Sequence, residues 1–154
     1  MRVSTFLWFD GPAEEAAEFY TGLFADATVL DVQRDADGAA RIVVFEIAGQ
    51  RCIAHNGGPG YTFGPAISMY IDCDTQEEVD DLWAALTEGG EEGPSGSLTD
   101  RYGVTWQIIP RALETLLAGA GPDAAERVLA ALGTMTRIDI QGLADARDGR
   151  GDPV

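Results

Sequence analysis

Residues 3–23 have the sequence VSTFLWFDGPAEEAAEFYTGL, from which the rest of the fold is predicted. The first seven residues are mostly apolar and β-prone, which is typical of a strand. Asp10-Gly11-Pro12 ends this strand and places proline at the first position of a helix. Apolar residues then recur at the spacing that puts them on one helical face: Ala16, Phe19, Tyr20 and Leu23. We therefore expect a strand followed by a helix that packs on a sheet.

The same pattern recurs 63 positions later. A second apolar strand is predicted over residues 67–73, and Thr75-Gln76-Glu77-Glu78 has the Thr-x-x-Glu form of a capping box, which begins a helix. The apolar stripe of that helix lies 63 positions beyond the first: Val79, Leu82, Trp83 and Leu86. The acidic pairs Glu14/Glu15 and Glu77/Glu78 keep the same offset. These coincidences indicate an internal structural repeat.

Shorter strands complete each half. Three are predicted near 27–34, 40–48 and 51–56. In the second half, short strands are predicted around 91–100, and a hairpin at Asp100-Arg101-Tyr102-Gly103 leads into a last strand over 104–109. Leucine-rich helices follow. The predicted fold is α+β, a single domain over 1–154 with βαβββ modules at about 1–56 and 65–110 and a helical C-terminal segment at about 111–147.

The overall charge narrows the choice of partners. Ten Lys and Arg stand against 26 Asp and Glu, a formal charge of −16, which repels nucleic-acid phosphates and anionic lipid. No apolar run approaches the roughly 20 residues of a membrane helix, and no secretion signal is recognised. Cys52 and Cys73 stand alone, as buried thiols in a reducing compartment would. We expect a cytoplasmic protein that binds neither nucleic acid nor membrane.

Five motifs resemble a known family: Leu7-Trp8-Phe9-Asp10-Gly11, Asn56-Gly57-Gly58-Pro59, Asp72-Cys73-Asp74-Thr75-Gln76-Glu77-Glu78, Asp100-Arg101-Tyr102-Gly103 and Trp106-Gln107-Ile108-Ile109-Pro110. They are similar to the PhnB-like branch of the vicinal oxygen chelate superfamily, which contains glyoxalases, bleomycin-resistance proteins and extradiol dioxygenases. That branch carries the family name 3-demethylubiquinone-9 3-methyltransferase. The resemblance spans about residues 3–147. It implies the glyoxalase/bleomycin resistance fold, with two modules forming a concave, barrel-like mixed sheet, and a homodimer.

The resemblance also identifies where a metal would be held. Superfamily members that bind a metal use His, Glu or Gln on the first and last strands of each half, and the matching positions here are Thr5, Ser68, Ala54 or Asn56, and Gln107. Only Gln107 is a usual ligand type. One amide with two hydroxyls is a poor site for zinc or for a hard divalent ion. We therefore expect no metal ligands and no other cofactor.

A small-molecule pocket shared by the two modules is the predicted site. Aromatic walls with a few polar anchors are typical of such pockets, and an Asn amide beside glycines permits close approach of a ligand. The predicted lining is Thr5, Trp8, Asn56, Gly57, Phe63, Ser68, Tyr70 and Gln107. Strand alternation from Gln107 places Thr105 and Ile109 on the pocket face and turns Trp106 to the other side, as a structural residue.

His55 is the only histidine. Alternation places it on the opposite face from Asn56, so with Asn56 facing the pocket His55 is predicted to point toward a helix or a dimer contact. With one histidine, no Ser-His-Asp or Cys-His arrangement is formed, and no catalytic residue is identified.

Other functions remain open at this point. One is a metal-dependent lyase, isomerase or dioxygenase with a ligand set that includes Gln107 and Glu46 or His55, and another is a metal-free enzyme whose substrate supplies the reactivity. A third is an interaction or dimer module without catalysis. A methyltransferase is disfavoured, because the Gly-rich strand-to-helix turn of a Rossmann fold is absent from the sequence.

Overall fold

The computed structural model describes residues 1–150, which fall into two compact units, Met1–Phe63 and the residues from Gly64 onward. The first unit contains five elements: β1 (Thr5–Phe9), α1 (Ala13–Leu23), β2 (Ala27–Arg34), β3 (Ala40–Ile47) and β4 (Gln50–Asn56). Its sheet has the order β1-β4-β3-β2, in which β1 and β4 are parallel and the other pairs are antiparallel.

The second unit repeats this topology. Its elements are β5 (Met69–Cys73), α2 (Gln76–Thr87), β6 (Glu91–Glu92), β7 (Ser97–Thr99) and β8 (Thr105–Pro110). The sheet order is β5-β8-β7-β6, again with one parallel pair, β5 and β8. The prediction of two βαβββ modules is confirmed, whereas the expectation of one domain stays a prediction. The barrel-like description is wrong: the strands form two separate sheets, and four strands are too few to close around a packed interior, for which about eight are usual.

Helix α1 covers one face of the first sheet. Tyr20 of α1 is fully buried and its ring lies 6.1 Å from that of Phe45 on β3. Because paired residues share a face, the register joins Phe45 to Cys52 and Thr5, which fixes the covered side. We call this side the helix face and the opposite side the open face.

The second unit has the same two faces. Helix α2 begins at the predicted Thr75 cap, where Glu78 N donates to Thr75 Oγ1 (3.1 Å), and the Glu78 carboxylate accepts from Asp74 N (2.6 Å), one residue before the cap. Its buried side chains Val79, Trp83 and Leu86 belong to the predicted stripe. The helix face of this sheet carries the buried side chains Cys73, Leu98, Trp106 and Ile108.

Three C-terminal helices complete the second unit: α3 (Arg111–Leu117), α4 (Pro122–Thr134) and α5 (Ile140–Arg147). Their core contains Val128, Ile138 and Leu143 and packs against Ile109 of β8. The Gln76 amide ties the start of α2 to this segment, because Nε2 donates to Ile138 O (2.9 Å) and Oε1 accepts from Ile140 N (2.8 Å). The predicted helical segment is confirmed. Within residues 1–150, no helix combines the length and apolar character that crossing a bilayer requires.

Candidate functional site

Two predicted site residues of the first unit, Thr5 and Asn56, lie on its helix face. Asn56 Oδ1 accepts from Ala13 N at the start of α1 (3.0 Å), and its Nδ2 donates to Ala40 O (2.9 Å). Asn56 pairs with the buried Phe9 and therefore shares its face. The predicted orientation of Thr5 and Asn56 is wrong, because burial of Phe9 fixes the phase of the strand. Asn56 holds the helix instead.

His55 lies on the open face and does not point toward a helix, while the alternative that it faces a dimer contact stays a prediction. It pairs with Trp8 in the register, and the two rings meet edge to face at 5.0 Å, with Phe6 at 5.9 Å. Its Nδ1 lies 3.2 Å from Arg41 O. His55 is thus part of an aromatic surface.

Trp8 and Gly57, both of the predicted lining, are in contact. Trp8 Nε1 donates to Gly58 O (2.8 Å), and a Cβ on Gly57 would lie only 2.1 Å from the Trp8 ring. The Tyr61 ring packs at 90° against Trp8, with 5.0 Å between centroids. We call Phe6, Trp8, His55 and Tyr61 the aromatic cluster.

Phe63 is not part of this cluster. Its ring lies 5.1 Å from that of Phe9, whose side chain is on the helix face. The phenyl group of Phe63 therefore covers the end of β1.

The open face of the second sheet carries the other predicted residues. Tyr70 and Gln107 are direct cross-strand neighbours, and Ser68 immediately precedes β5. Thr105 shares the face of Gln107, as the alternation predicts, although only 5% of its surface is exposed. The side chains of Tyr70 and Gln107 form no hydrogen bond with any residue of the described chain, so their polar groups are available to a ligand, whereas Thr105 is buried.

The opposite side of β8 has a structural role. Trp106 is fully buried, and its Nε1 donates to Asp100 Oδ2 at 2.7 Å. The prediction that Trp106 is structural and faces away from Gln107 is confirmed.

Next to Tyr70 a groove opens between the strands and α3. We call this cavity of about 540 Å³ the α3 groove. Its walls are formed by Tyr70, Asp72, Ile109, Pro110, Arg111, Leu113, Glu114, Leu117 and Ala118. Of these residues, Tyr70 belongs to the predicted lining, and Ile109 was predicted to lie on the pocket face of its strand. The leucine stripe of α3 signalled a covering helix, but which side chains line a groove depends on how that helix docks.

The unpaired charges in the lining of the α3 groove are negative. Burial raises the pKa of the Tyr70 phenol, and the nearby carboxylates of Asp72 and Glu114 raise it further. Arg111 is the cation of the lining, and its Nη1 lies 2.9 Å from Asp74 Oδ1, so its charge is already paired. Asp72 and Glu114 form no salt bridge within residues 1–150.

Metal-binding residue types are scattered. Within the described residues no group of three or more His, Cys, Asp or Glu side chains is placed to hold an ion. Glu46 and His55 share the open face of the first sheet, but they oppose Arg51 and Ile42, about 13 Å apart along β3. Cys52 and Cys73 are buried free thiols, and burial raises the pKa of each to about 11.

The two βαβββ units, each with one parallel and two antiparallel strand pairs, have the arrangement expected of the glyoxalase/bleomycin resistance fold. Within it, the chain belongs to the family described as 3-demethylubiquinone-9 3-methyltransferase, whose model matches residues 1–109. The resemblance carried by the five sequence motifs is confirmed.

One solved structure supports the family, and two others share the fold. A PhnB protein from Bacillus cereus is 32% identical, with a TM-score of 0.67, over 71% of this chain and 99% of that one. Protein PA1353 from Pseudomonas aeruginosa is 20% identical, with a TM-score of 0.61, over 71% and 97% of the two chains. The fosfomycin resistance protein FosX from Listeria monocytogenes is 19% identical, with a TM-score of 0.50, over 69% and 88%. No curated protein matches the chain.

Neither the metal ion of FosX nor the fold of a conventional methyltransferase fits what is present in this chain. FosX was solved with Mn(II) and sulfate, but within residues 1–150 the carboxylates and the one histidine of the open faces, such as Glu46, Asp72 and His55, form no group of three that could hold an ion. The methyltransferase name does not correspond to a doubly wound parallel sheet, because each sheet here contains one parallel pair.

Proposed function

We propose that this protein binds a small molecule on the open face of its second unit. The apolar part of the ligand occupies the α3 groove beside Tyr70, and a hydrogen-bonding group of the ligand reaches Gln107. The observation that carries the proposal is a groove adjoining polar side chains that have no partner in the described chain.

The dimensions and chemistry of the groove support this proposal. Its volume, about 540 Å³, is within the range of small-molecule sites, roughly 300–1,000 Å³. Ile109, Leu113 and Leu117 provide apolar walls, and Tyr70, 60% exposed, offers an aromatic face. Such a combination of apolar surface with few polar anchors favours a specific orientation of a ligand.

The proposed site retains part of the predicted lining. Ser68, Tyr70 and Gln107 belong to it, and Trp8 contributes to the aromatic cluster of the first unit instead. The remaining predicted residues make structural contacts: Thr5, Asn56, Gly57 and Phe63.

Fragment screening by ligand-observed NMR, followed by titration of the best fragment, tests the proposal. Tyr70→Ala removes the aromatic wall and is expected to weaken binding about tenfold or more, while Gln107→Leu weakens fragments with a polar group. Tyr61→Ala removes an exposed tyrosine of the first unit and is the matched control. The absence of saturable binding, or a loss of binding in Tyr61→Ala alone, would refute the proposal.

We also propose that the protein acts as a cytoplasmic homodimer. Its two free thiols suit a reducing compartment, and exposed apolar side chains such as Phe6, Leu30 and Ile67 are typical of association surfaces. Light scattering after gel filtration should give twice the monomer mass at micromolar concentration. A monomer mass under those conditions would exclude this part of the proposal.

A further inference from the structure

Some charged side chains of the α3 groove form salt bridges and others do not. Asp72 on β5 and Glu114 on α3 contribute to its lining from two sides, and neither carboxylate has a salt-bridge partner within the described chain. Arg111 is engaged by Asp74, which itself stands next to the groove. With Arg111 paired in this way, the carboxylates of Asp72 and Glu114 are left without a compensating cation.

Both carboxylates lie beside Tyr70 in the lining of the groove. Tyr70 and Asp72 are two residues apart on β5 and share its open face, and Glu114 of α3 lines the same groove. A charge bound against the Tyr70 ring is therefore close to both acidic groups. The face of a tyrosine ring also attracts cations, which adds to the carboxylates in the same direction.

We propose that the α3 groove selects an organic cation, a protonated or quaternary amine carried on an apolar or aromatic body. The body packs on Ile109, Leu113 and Leu117, and the ammonium group lies between Asp72, Glu114 and the Tyr70 ring. This inference rests on the proposed binding function and adds the class of ligand. Anionic ligands are repelled from the same groove.

Three probes of similar size and different charge separate the two proposals. They are 3-phenylpropylamine, 3-phenylpropan-1-ol and 3-phenylpropanoate, titrated at pH 7.5 and low ionic strength by NMR. The amine should bind about two- to fivefold more tightly per unpaired carboxylate than the alcohol, and the acid more weakly than either. The preference should shrink when salt is raised to about 0.3 M, because screening reduces it.

Substitutions test whether the preference for the amine arises from the carboxylates of the groove. Asp72→Asn and Glu114→Gln should each reduce binding of the amine about two- to fivefold and leave binding of the alcohol unchanged. Arg111→Gln frees Asp74 and should strengthen binding of the amine about twofold. Asp81→Asn on α2 removes one negative charge away from the groove lining and is the control for net charge, with no effect expected.

The outcomes are distinct. Equal binding of the amine and the alcohol, or tighter binding of the acid, would overturn the charge selection while leaving the proposed pocket intact. If Asp81→Asn reduces the preference for the amine as much as Asp72→Asn and Glu114→Gln do, the attraction comes from the whole acidic surface. That result also overturns the inference. No binding of any probe, together with a failed fragment screen, would refute the proposed function itself.

Discussion

Asn56 joins three segments of the first unit through one amide. It accepts from Ala13 N at the start of α1 and donates to Ala40 O at the start of β3, while its own backbone ends β4. No side chain next to α1 in sequence caps that helix, so the cap comes from 43 residues away. Asn56 is therefore a structural residue of the first unit.

Replacement of Asn56 by alanine should lower the free energy of unfolding by about 1–2 kcal/mol, because the Ala13 amide and the Ala40 carbonyl lose their partner. Urea denaturation measures this loss. Gln33→Ala, which removes an exposed amide of β2, is the control and should change little. Unchanged stability of Asn56→Ala with impaired ligand binding would show that the ligand role first predicted for Asn56 is right after all.

Gly57 is fixed by contact with Trp8. A methyl group at Gly57 would lie 2.1 Å from the indole ring, so Gly57→Ala should lower stability by about 1–3 kcal/mol through overpacking. Gly60→Ala adds the same group in the same loop at 3.7 Å from Trp8 and should be tolerated. Thermal unfolding of the two variants compares them directly. Equal melting temperatures would mean that the loop moves away from Trp8 at no cost.

At the scale of elements, the β2–β3 hairpin and the β7–β8 hairpin contain the same turn. Oδ1 of Asp35 accepts from the amides two and four residues later, and Oδ1 of Asp100 does the same. Each turn then has a glycine with positive φ, Gly38 at 84° and Gly103 at 86°. The second turn differs because Asp100 is buried and also accepts from Trp106 Nε1. The buried turn therefore depends on both carboxylate oxygens.

This difference predicts unequal costs for the same substitution. Asp100→Asn places an amide donor against the Trp106 donor and should cost about 1.5–3 kcal/mol. Asp35→Asn keeps the accepting oxygen and turns its amide to solvent, so its effect should stay within about 0.5 kcal/mol. Chemical denaturation of both variants tests this contrast, which equal losses would contradict.

The element scale also explains why strand orientations were mispredicted. The helices α1 and α2 begin 63 positions apart, at Ala13 and Gln76, as the repeat predicts. The strands before them end 64 positions apart, at Phe9 and Cys73, which are both buried, at 2% and 1% exposure. The turn in the second unit is one residue shorter, and a slip of one residue moves a strand side chain to the other face. The structural counterpart of Thr5 is thus Met69, not Ser68.

At the scale of the whole molecule, much of the fold follows from the sequence. Periodicity and capping residues predicted both modules and the C-terminal helices, because each signal is local. These local signals did not predict the α3 groove. Ile109 lies on the predicted pocket face of its strand, and Leu113 belongs to the leucine stripe of α3. Only the way α3 docks shows that Asp72 and Glu114 flank the space between these two residues.

The most direct test of the central claim is chemical-shift mapping of the 15N-labelled protein during titration with 3-phenylpropylamine. We predict saturable shifts centred on the backbone amides of Tyr70, Gln107, Leu113 and Leu117, with little change at Phe6 and His55. Saturable shifts centred on the aromatic cluster, with the groove unaffected, would contradict the account.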